Sequence, residues 1–320
     1  MKRKLSLIIL IAMVAIFTAA CGSNSTSSTG GSEEKKEKQT ITVKHRLGET
    51  KVEKDPEKVV VFDFGTLDTL DKLGVEVTGI PQDNLPAYLE QYKDAKYKNA
   101  GGIMEPDFEA IKEMEPNLII ISGRQQDSYD QFAEIAPTIF MGVDTTKYLE
   151  SFKSNVNTLA EIFGKETEAS TELKAIEKNI NSLKDKVLAK DRKALITLVT
   201  GGKISAYGPG SRFGIIHDVF GVKPVTEDLD AAATHGTKIS VEFIAQKNPD
   251  IIYVVDRDSV VSNGGKGTSA KEVIENDLVK KTSAYKNGQI VYLDPNYWYL
   301  SGGGLISVAE MVKEIEEGLK

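Results

Sequence analysis

Cysteine, tryptophan and histidine are scarce in this chain of 320 residues, which has one, one and three of them. A single cysteine cannot close an internal disulfide. Three histidines, at His45, His217 and His235, are too few for a zinc site built from several of them. The sequence contains no Walker-type phosphate loop, no G-x-S-x-G elbow and no H-E-x-x-H pair, and the glycines at 302–304 lack a following Lys and Ser or Thr. Nucleotide hydrolysis, serine-esterase chemistry and zinc proteolysis therefore have no signature here. After Ala20 no segment is apolar enough to cross a bilayer. An excess of basic residues is also missing. The formal charge is −7, which argues against nucleic acid as a partner.

What is present begins at the N-terminus. Lys2, Arg3 and Lys4 precede an almost wholly apolar run from Leu5 to Ala20, broken only by Ser6 and Thr18. A positive head, a short apolar run and a small-residue ending mark residues 1–20 as a secretory signal. Cys21 follows Thr18-Ala19-Ala20 and precedes Gly22, the position of the lipidated cysteine in a lipobox, although Thr18 replaces the commoner leucine. Cleavage before Cys21 and acylation of it, palmitate included, would anchor the protein to a membrane. An ordinary signal with an incidental cysteine is the alternative. Residues 21–39 have almost nothing to bury and are expected to form a disordered tether, reaching on the order of 20–25 Å. Loss of the three positive charges of the signal takes the formal charge from −7 to −10. The remainder, about 280 residues, can bury two cores.

Two stretches of that remainder repeat one pattern. Pro106-Asp107-Phe108-Glu109-Ala110-Ile111 leads to Pro116-Asn117-Leu118-Ile119-Ile120-Ile121 and then Arg124. Ile239-Ser240-Val241-Glu242-Phe243-Ile244 leads to Pro249-Asp250-Ile251-Ile252-Tyr253-Val254-Val255 and then Arg257. In each, Glu stands seven residues before Pro and Arg eight after it. Each copy predicts a short helix, a proline break, a buried strand and an arginine just past the strand end.

The surrounding sequence fits an α/β protein with two Rossmann-like lobes and a ligand cleft between them. Ile41–Val43 and Thr50–Val52 flank a Leu47-Gly48-Glu49 turn and predict an edge hairpin. Val59–Phe62 predicts a buried strand, followed by a helix through Leu67, Leu70 and Leu73. The second half is expected to repeat this shape, with Leu195–Val199 as strand and a glycine-rich turn from Tyr207 to Arg212 leading into Ile215, Ile216 and Val219. Largely parallel sheets follow from that alternation. Between the halves, Tyr148, Phe152, Val156, Leu159 and Ile162 recur at helical spacing. After Gly164 a second helical run, Glu166–Lys190, carries Leu173, Ile176, Ile180, Leu183 and Val187. About 25 residues at 1.5 Å each give a rod of ~37 Å, one long backbone helix joining the lobes. The predicted domains are an N-terminal lobe at 40–146, a helical connection at 147–190 and a C-terminal lobe at 191–320.

Ligands of open α/β sheets bind beyond the carboxyl ends of the strands. Arg124 and Arg257 stand there in their own halves, and Arg212 lies in the glycine-rich turn. The competing reading is three surface arginines paired with acids such as Asp256 and Asp258. The run Tyr297-Trp298-Tyr299-Leu300-Ser301-Gly302-Gly303-Gly304 offers flat apolar contact or plain core. His235 lies in a small-residue loop, as a ligand or a hydrogen-bond donor. Glu109 and Glu242 begin short helices, where the helix dipole favours negative charge. Their repetition also suggests one acid per lobe for docking on a symmetric partner.

The segments VVDRD around Arg257, YGPGSRFG around Arg212, SGR at Arg124, THGTKIS at His235 and LDPNYWYLSGGG near the end resemble the siderophore-binding lipoproteins of bacterial ABC importers. The resemblance spans the mature chain and is nearest to the branch that binds petrobactin and related ferric catecholates. It implies that Arg124, Arg212 and Arg257 surround a trianionic ferric complex, that Trp298 and Tyr299 line the same pocket, and that His235 and Tyr299 can ligate iron when the siderophore leaves sites empty. It implies docking of Glu109 and Glu242 on a permease driven by a partner ATPase. It also implies a monomer without enzymatic activity or cofactor, held on the outer face of a membrane, a Gram-positive one being favoured. A haem or cobalamin receptor with His235 or Tyr299 as axial ligand is the alternative within binding proteins, and a surface-anchored siderophore-processing enzyme the alternative outside them.

Overall fold

A computed structural model describes residues 39–233, 235–261 and 269–319. The signal segment, Cys21 and residues 22–38 of the tether lie outside these. Among the described residues no helix is long and apolar enough to cross a membrane.

The first element is an antiparallel hairpin of β1 (Thr40–His45) and β2 (Gly48–Glu53). Its reversal falls on Arg46 and Leu47 because His45 pairs with Gly48, rather than on the expected Leu47-Gly48-Glu49. Five strands then form a wholly parallel sheet: β3 (Val59–Val61), β4 (Gly79–Ile80), β5 (Lys98–Asn99), β6 (Leu118–Ile121) and β7 (Thr138–Phe140), in the order β5-β4-β3-β6-β7. Every residue of β3 and β6 is buried, as an uninterrupted apolar run requires when helices cover both faces. α1 (Phe64–Lys72) follows β3, with Asp63 as its N-cap accepting from Thr66 N at 2.7 Å. α2 (Phe108–Glu113) precedes β6 and is capped by Asp107.

The connection consists of two helices, α3 (Tyr148–Phe163) and α4 (Glu166–Lys190). All ten apolar positions picked out by the periodicity of these helices are buried. The chain reverses at Gly164 and Lys165, so the helices lie alongside one another, with Lys153 on α3 paired to Glu177 on α4. α4 meets the first half through Lys72–Glu172 at 3.3 Å and, near its other end, pairs Lys186 with Glu316 of the C-terminal helix.

The second sheet has six strands: β8 (Lys193–Thr200), β9 (Lys203–Tyr207), β10 (Lys223–Pro224), β11 (Thr237–Ile239), β12 (Ile251–Asp256) and β13 (Ile290–Leu293). The order is β11-β9-β8-β12-β13, with β10 beside the start of β8. Here the expected strand–turn–helix repeat is interrupted, because β9 folds back antiparallel on β8 before the glycine-rich turn. Gly201 and Gly202, at φ +55° and +72°, form the two-residue reversal, a conformation that glycine adopts without steric cost.

α5 (Val241–Lys247) precedes β12 as α2 precedes β6, and is capped by Ser240 as α2 is by Asp107. Glu115 and Asn248 both close their helices in the left-handed conformation, just before Pro116 and Pro249. The sequence repeat is thus a repeat of backbone geometry. The chain ends in α6 (Leu305–Gly318), whose Leu305, Val308, Met311, Val312 and Ile315 join the core that α4 shares with β8 and β12.

Glu314, on α6, accepts from Trp298 Nε1 at 2.7 Å and Asp294 N at 3.2 Å. Burial outweighs these bonds and pushes its carboxyl up to about 7. A pKa raised above the unfolded value of about 4.3 favours the protonated form in the fold. That stability is complete below about pH 4 and is lost as pH rises through the folded pKa. Trp298 emission in the wild-type protein should therefore shift with a midpoint near 7, and its urea midpoint should fall across that window. Glu314→Gln, which keeps an acceptor for the indole, should remove the emission response and reduce the fall in the urea midpoint; identical pH profiles for the two proteins would refute the assignment.

Candidate functional site

In both sheets strand order reverses beside the first strand: between β3 and β6 in one, between β8 and β12 in the other. Crevices open at such points beyond the carboxyl ends of the strands. Arg124 lies in the 3₁₀ turn Gly123–Ser128 that follows β6, and Arg257 directly follows β12, its N–H bonded to Val199 O at 3.1 Å. Arg212 comes from the turn between β9 and the short helix Ile215–Asp218.

All three arginines meet at one residue. Arg124 donates through Nη2 to Tyr299 O at 2.9 Å and through Nη1 to Leu300 O at 3.3 Å. Arg212 donates to the same Tyr299 oxygen at 2.8 Å. Arg257 Nε donates to the Tyr299 hydroxyl at 2.8 Å, and its Nη1 to Thr200 Oγ1 at 3.2 Å. The guanidinium carbons of Arg212, Arg257 and Arg124 lie 4.2, 5.5 and 6.0 Å from the Tyr299 ring centroid.

The backbone explains why Tyr299 can accept so much. Asn296–Ser301 is a π-helical turn closed by Gly302 N to Tyr297 O at 2.8 Å. The turn ends at once, leaving the carbonyls of Tyr299 and Leu300 without helical partners. The arginines supply the missing donors.

The balance of charge is positive. Arg257 pairs with Asp258 at 3.6 Å, whereas Arg124 and Arg212 make no ion pair among the described residues. Burial depresses the Arg124 pKa, and the Arg212 charge adds to the effect. Guanidinium remains protonated despite such shifts. Asp63, itself raised by burial and lowered in part by Arg124, is the acid that acts on Arg124 electrostatically. For Tyr299, burial alone would raise the phenol. The bond from Arg257 and the charges of Arg212, Arg257 and Arg124 outweigh it, so the phenol lies below its ordinary value. The group gathers positive charge whose hydrogen bonds go mainly to neutral oxygens.

The remaining expected residues are placed differently. Trp298 does not face this group: it is 3% exposed, packed in the core, with its indole N–H committed to Glu314. Consecutive residues of a helical turn point to different sides, and here the turn that aims Tyr299 at the arginines aims Trp298 into the core. His235 is exposed and has no hydrogen-bond partner among the described residues. The adjoining Gly236 lies against the Tyr207 ring, which senses the charge of Arg212. His217 is buried, with Nδ1 2.7 Å from Val222 O. Glu109 and Glu242 are exposed in the first turns of α2 and α5, matching positions of the two halves. Sequence reasoning missed Thr200 and Asp63, both at strand ends and reachable by the rule that found Arg124.

A profile described as periplasmic binding protein matches residues 59–297. The chain is 49% identical over 322 residues to the petrobactin-binding protein YclQ of Bacillus subtilis, covering 99% of each, and 32% identical to the ferric-anguibactin-binding protein FatB of Vibrio anguillarum, covering 87% of each. The crystal structure of YclQ superposes with a TM-score of 0.85 over 88% of this chain and 99% of that one, at 50% identity. That of the catecholate-siderophore-binding protein VctP of Vibrio cholerae superposes at 0.82, with 36% identity, over 87% and 100%. With this profile and these identities along nearly its whole length, the chain belongs to the periplasmic binding protein family.

Proposed function

We propose that this protein captures a ferric siderophore of catecholate or mixed catecholate–carboxylate type, petrobactin being favoured, and delivers it to an ABC permease whose ATPase drives iron uptake. The observation that carries the proposal is the convergence of Arg124, Arg212 and Arg257, from both halves of the chain, on one half-buried residue, Tyr299. Planar, permanently charged donors suit a chelate with three catecholate-like negative charges. A charge pair at 4 Å contributes about 4 kcal/mol gross at an effective dielectric near 20, before desolvation is subtracted. A neutral ferric hydroxamate would leave the arginines desolvated and unmatched, which selects against it. The bound chelate would replace the oxygens of Tyr299 and Leu300 as acceptors. In this reading the protein catalyses no reaction and needs no cofactor, the iron is cargo, and lipid on Cys21 holds a monomer at the extracytoplasmic face of a membrane.

Titration at fixed pH with ferric petrobactin, a ferric tris-catecholate, a ferric hydroxamate and haem, followed by Trp298 emission, tests the selectivity. Catecholate chelates should quench strongly and the hydroxamate should not; the opposite order would sink the proposal. Arg124→Ala, Arg212→Ala and Arg257→Ala should each weaken binding by about 1.5–3 kcal/mol, the range for hydrogen bonds to charged groups. Unchanged affinity in all three would leave the trianion reading without support.

The paired acids make a separate prediction. Glu109→Ala combined with Glu242→Ala should bind the ferric siderophore normally yet abolish uptake of radioactive iron by cells that depend on this protein. Normal uptake by the double variant would refute a docking role.

A further inference from the structure

The segment that carries Tyr299 is held from its far side by a buried carboxylate. Asp68, on α1, has no exposed surface. Its Oδ1 accepts from Ile306 N at 2.9 Å and its Oδ2 from Ser307 N at 2.8 Å, at the N-terminus of α6. Oδ2 also lies 3.0 Å from the Tyr88 hydroxyl, which is 2.7 Å from Ser301 Oγ. The adjacent Thr69 accepts from Leu305 N at 3.2 Å. Contact here is close enough to constrain the sequence: a Cβ on Gly304 would fall 2.1 Å from Asp68 Oδ1, and one on Gly65 would fall 3.2 Å from Ser301 O.

The chemistry of the contact is coherent. The first N–H groups of a helix lack internal partners and attract negative charge. Burial pushes the Asp68 carboxyl up to about 6, against the pull of Ser307, Ile306 and Tyr88, so it is ionised at neutral pH. Ser301, the last residue of the π-turn, connects this anchor to the Tyr299 and Leu300 carbonyls on which Arg124 and Arg212 converge. The body of α6 has its own support in apolar packing and the Trp298–Glu314 bond. Loss of Asp68 would therefore loosen the π-turn without unseating the helix.

We propose that Asp68 is a positioning residue for ligand capture: by fixing residues 301–307 to α1, it sets the place of Tyr299 and so the alignment of the arginines. The inference rests on the anion-receptor reading given above. Two readouts separate them. Tyr299 can be replaced by 3-fluorotyrosine and its ¹⁹F resonance recorded at one pH without ligand, in the full chain and in Asp68→Asn and Tyr88→Phe backgrounds; ferric petrobactin affinity is measured in parallel. Asp68→Asn puts a donor where an acceptor is needed. It should shift and broaden the Tyr299 resonance and weaken binding about tenfold, with unchanged circular dichroism. Tyr88→Phe should shift both readouts in the same direction by less. A folded Asp68→Asn protein with an unmoved Tyr299 resonance overturns the proposal, whether or not affinity falls. Should Asp68→Asn fail to fold, Tyr88→Phe decides by the same two readouts. If the unsubstituted protein binds no ferric siderophore, the anion reading fails, and the Tyr299 resonance alone still decides the role of Asp68.

Discussion

Bringing three guanidinium groups together inside a protein is the constraint around which the rest of this structure is arranged. Like charges repel, and each loses hydration when buried. The fold supplies little opposite charge in return: Asp63 acts on Arg124, and Asp258 lies beside Arg257. It supplies dipoles instead. The carbonyls of Tyr299 and Leu300, left open by the π-turn, and the hydroxyls of Tyr299 and Thr200 accept five hydrogen bonds from the three groups. Neutral acceptors hold the arginines in a common orientation without cancelling their charge. An anion of the right shape can therefore improve on them.

The scaffold makes this convergence possible by repetition. Each half places a short capped helix, a left-handed residue, a proline and a buried strand in the same succession, and each strand delivers an arginine past its carboxyl end. Arg212 has no counterpart in the first half, because the Gly201–Gly202 reversal inserts β9 and gives the second half an extra turn to carry it. The helices α3 and α4 lie side by side and are pinned by Lys153–Glu177, Lys72–Glu172 and Lys186–Glu316. Two packed helices resist bending more than separate extended linkers would. The spacing between the halves is thereby restrained before any ligand arrives, which lowers the ordering cost of binding.

Local patterns in the sequence were enough to find much of this. Uninterrupted apolar runs identified β3, β6, β8 and β12, helical periodicity gave both connecting helices, and the matched offsets pointed to Arg124 and Arg257. Trp298 and Asp68 escaped for opposite reasons. Trp298 shares a short run with Tyr299, and no rule of composition says which aromatic of a π-turn faces inward. Asp68 reads as the solvent side of an amphipathic helix beside Leu67 and Leu70, yet it has no exposed surface because α6, more than 230 residues later in the chain, ends against it. The direction of a ring within an irregular turn and contacts between distant segments are set by tertiary packing. The β9 hairpin was a different omission, since a Gly-Gly pair between two strand-like stretches is a local signal.

Tyr299 links the three arginines. Its carbonyl holds Arg124 and Arg212, its hydroxyl holds Arg257, and its ring lies within 4.2 to 6.0 Å of all three guanidinium carbons. The same three charges lower its phenol pKa despite burial. An oxygen on an aromatic ring, placed among arginines and drawn toward its anionic form, has the local chemistry of one catecholate oxygen. The surroundings of Tyr299 thus resemble those suited to the class of group proposed as ligand. Exchange of Tyr299 oxygens for those of a chelate replaces weak acceptors by charged ones while the donors stay where they are. Under the proposed function, affinity would then arise from charge gained at fixed geometry, and selectivity from the lack of that gain with a neutral ligand.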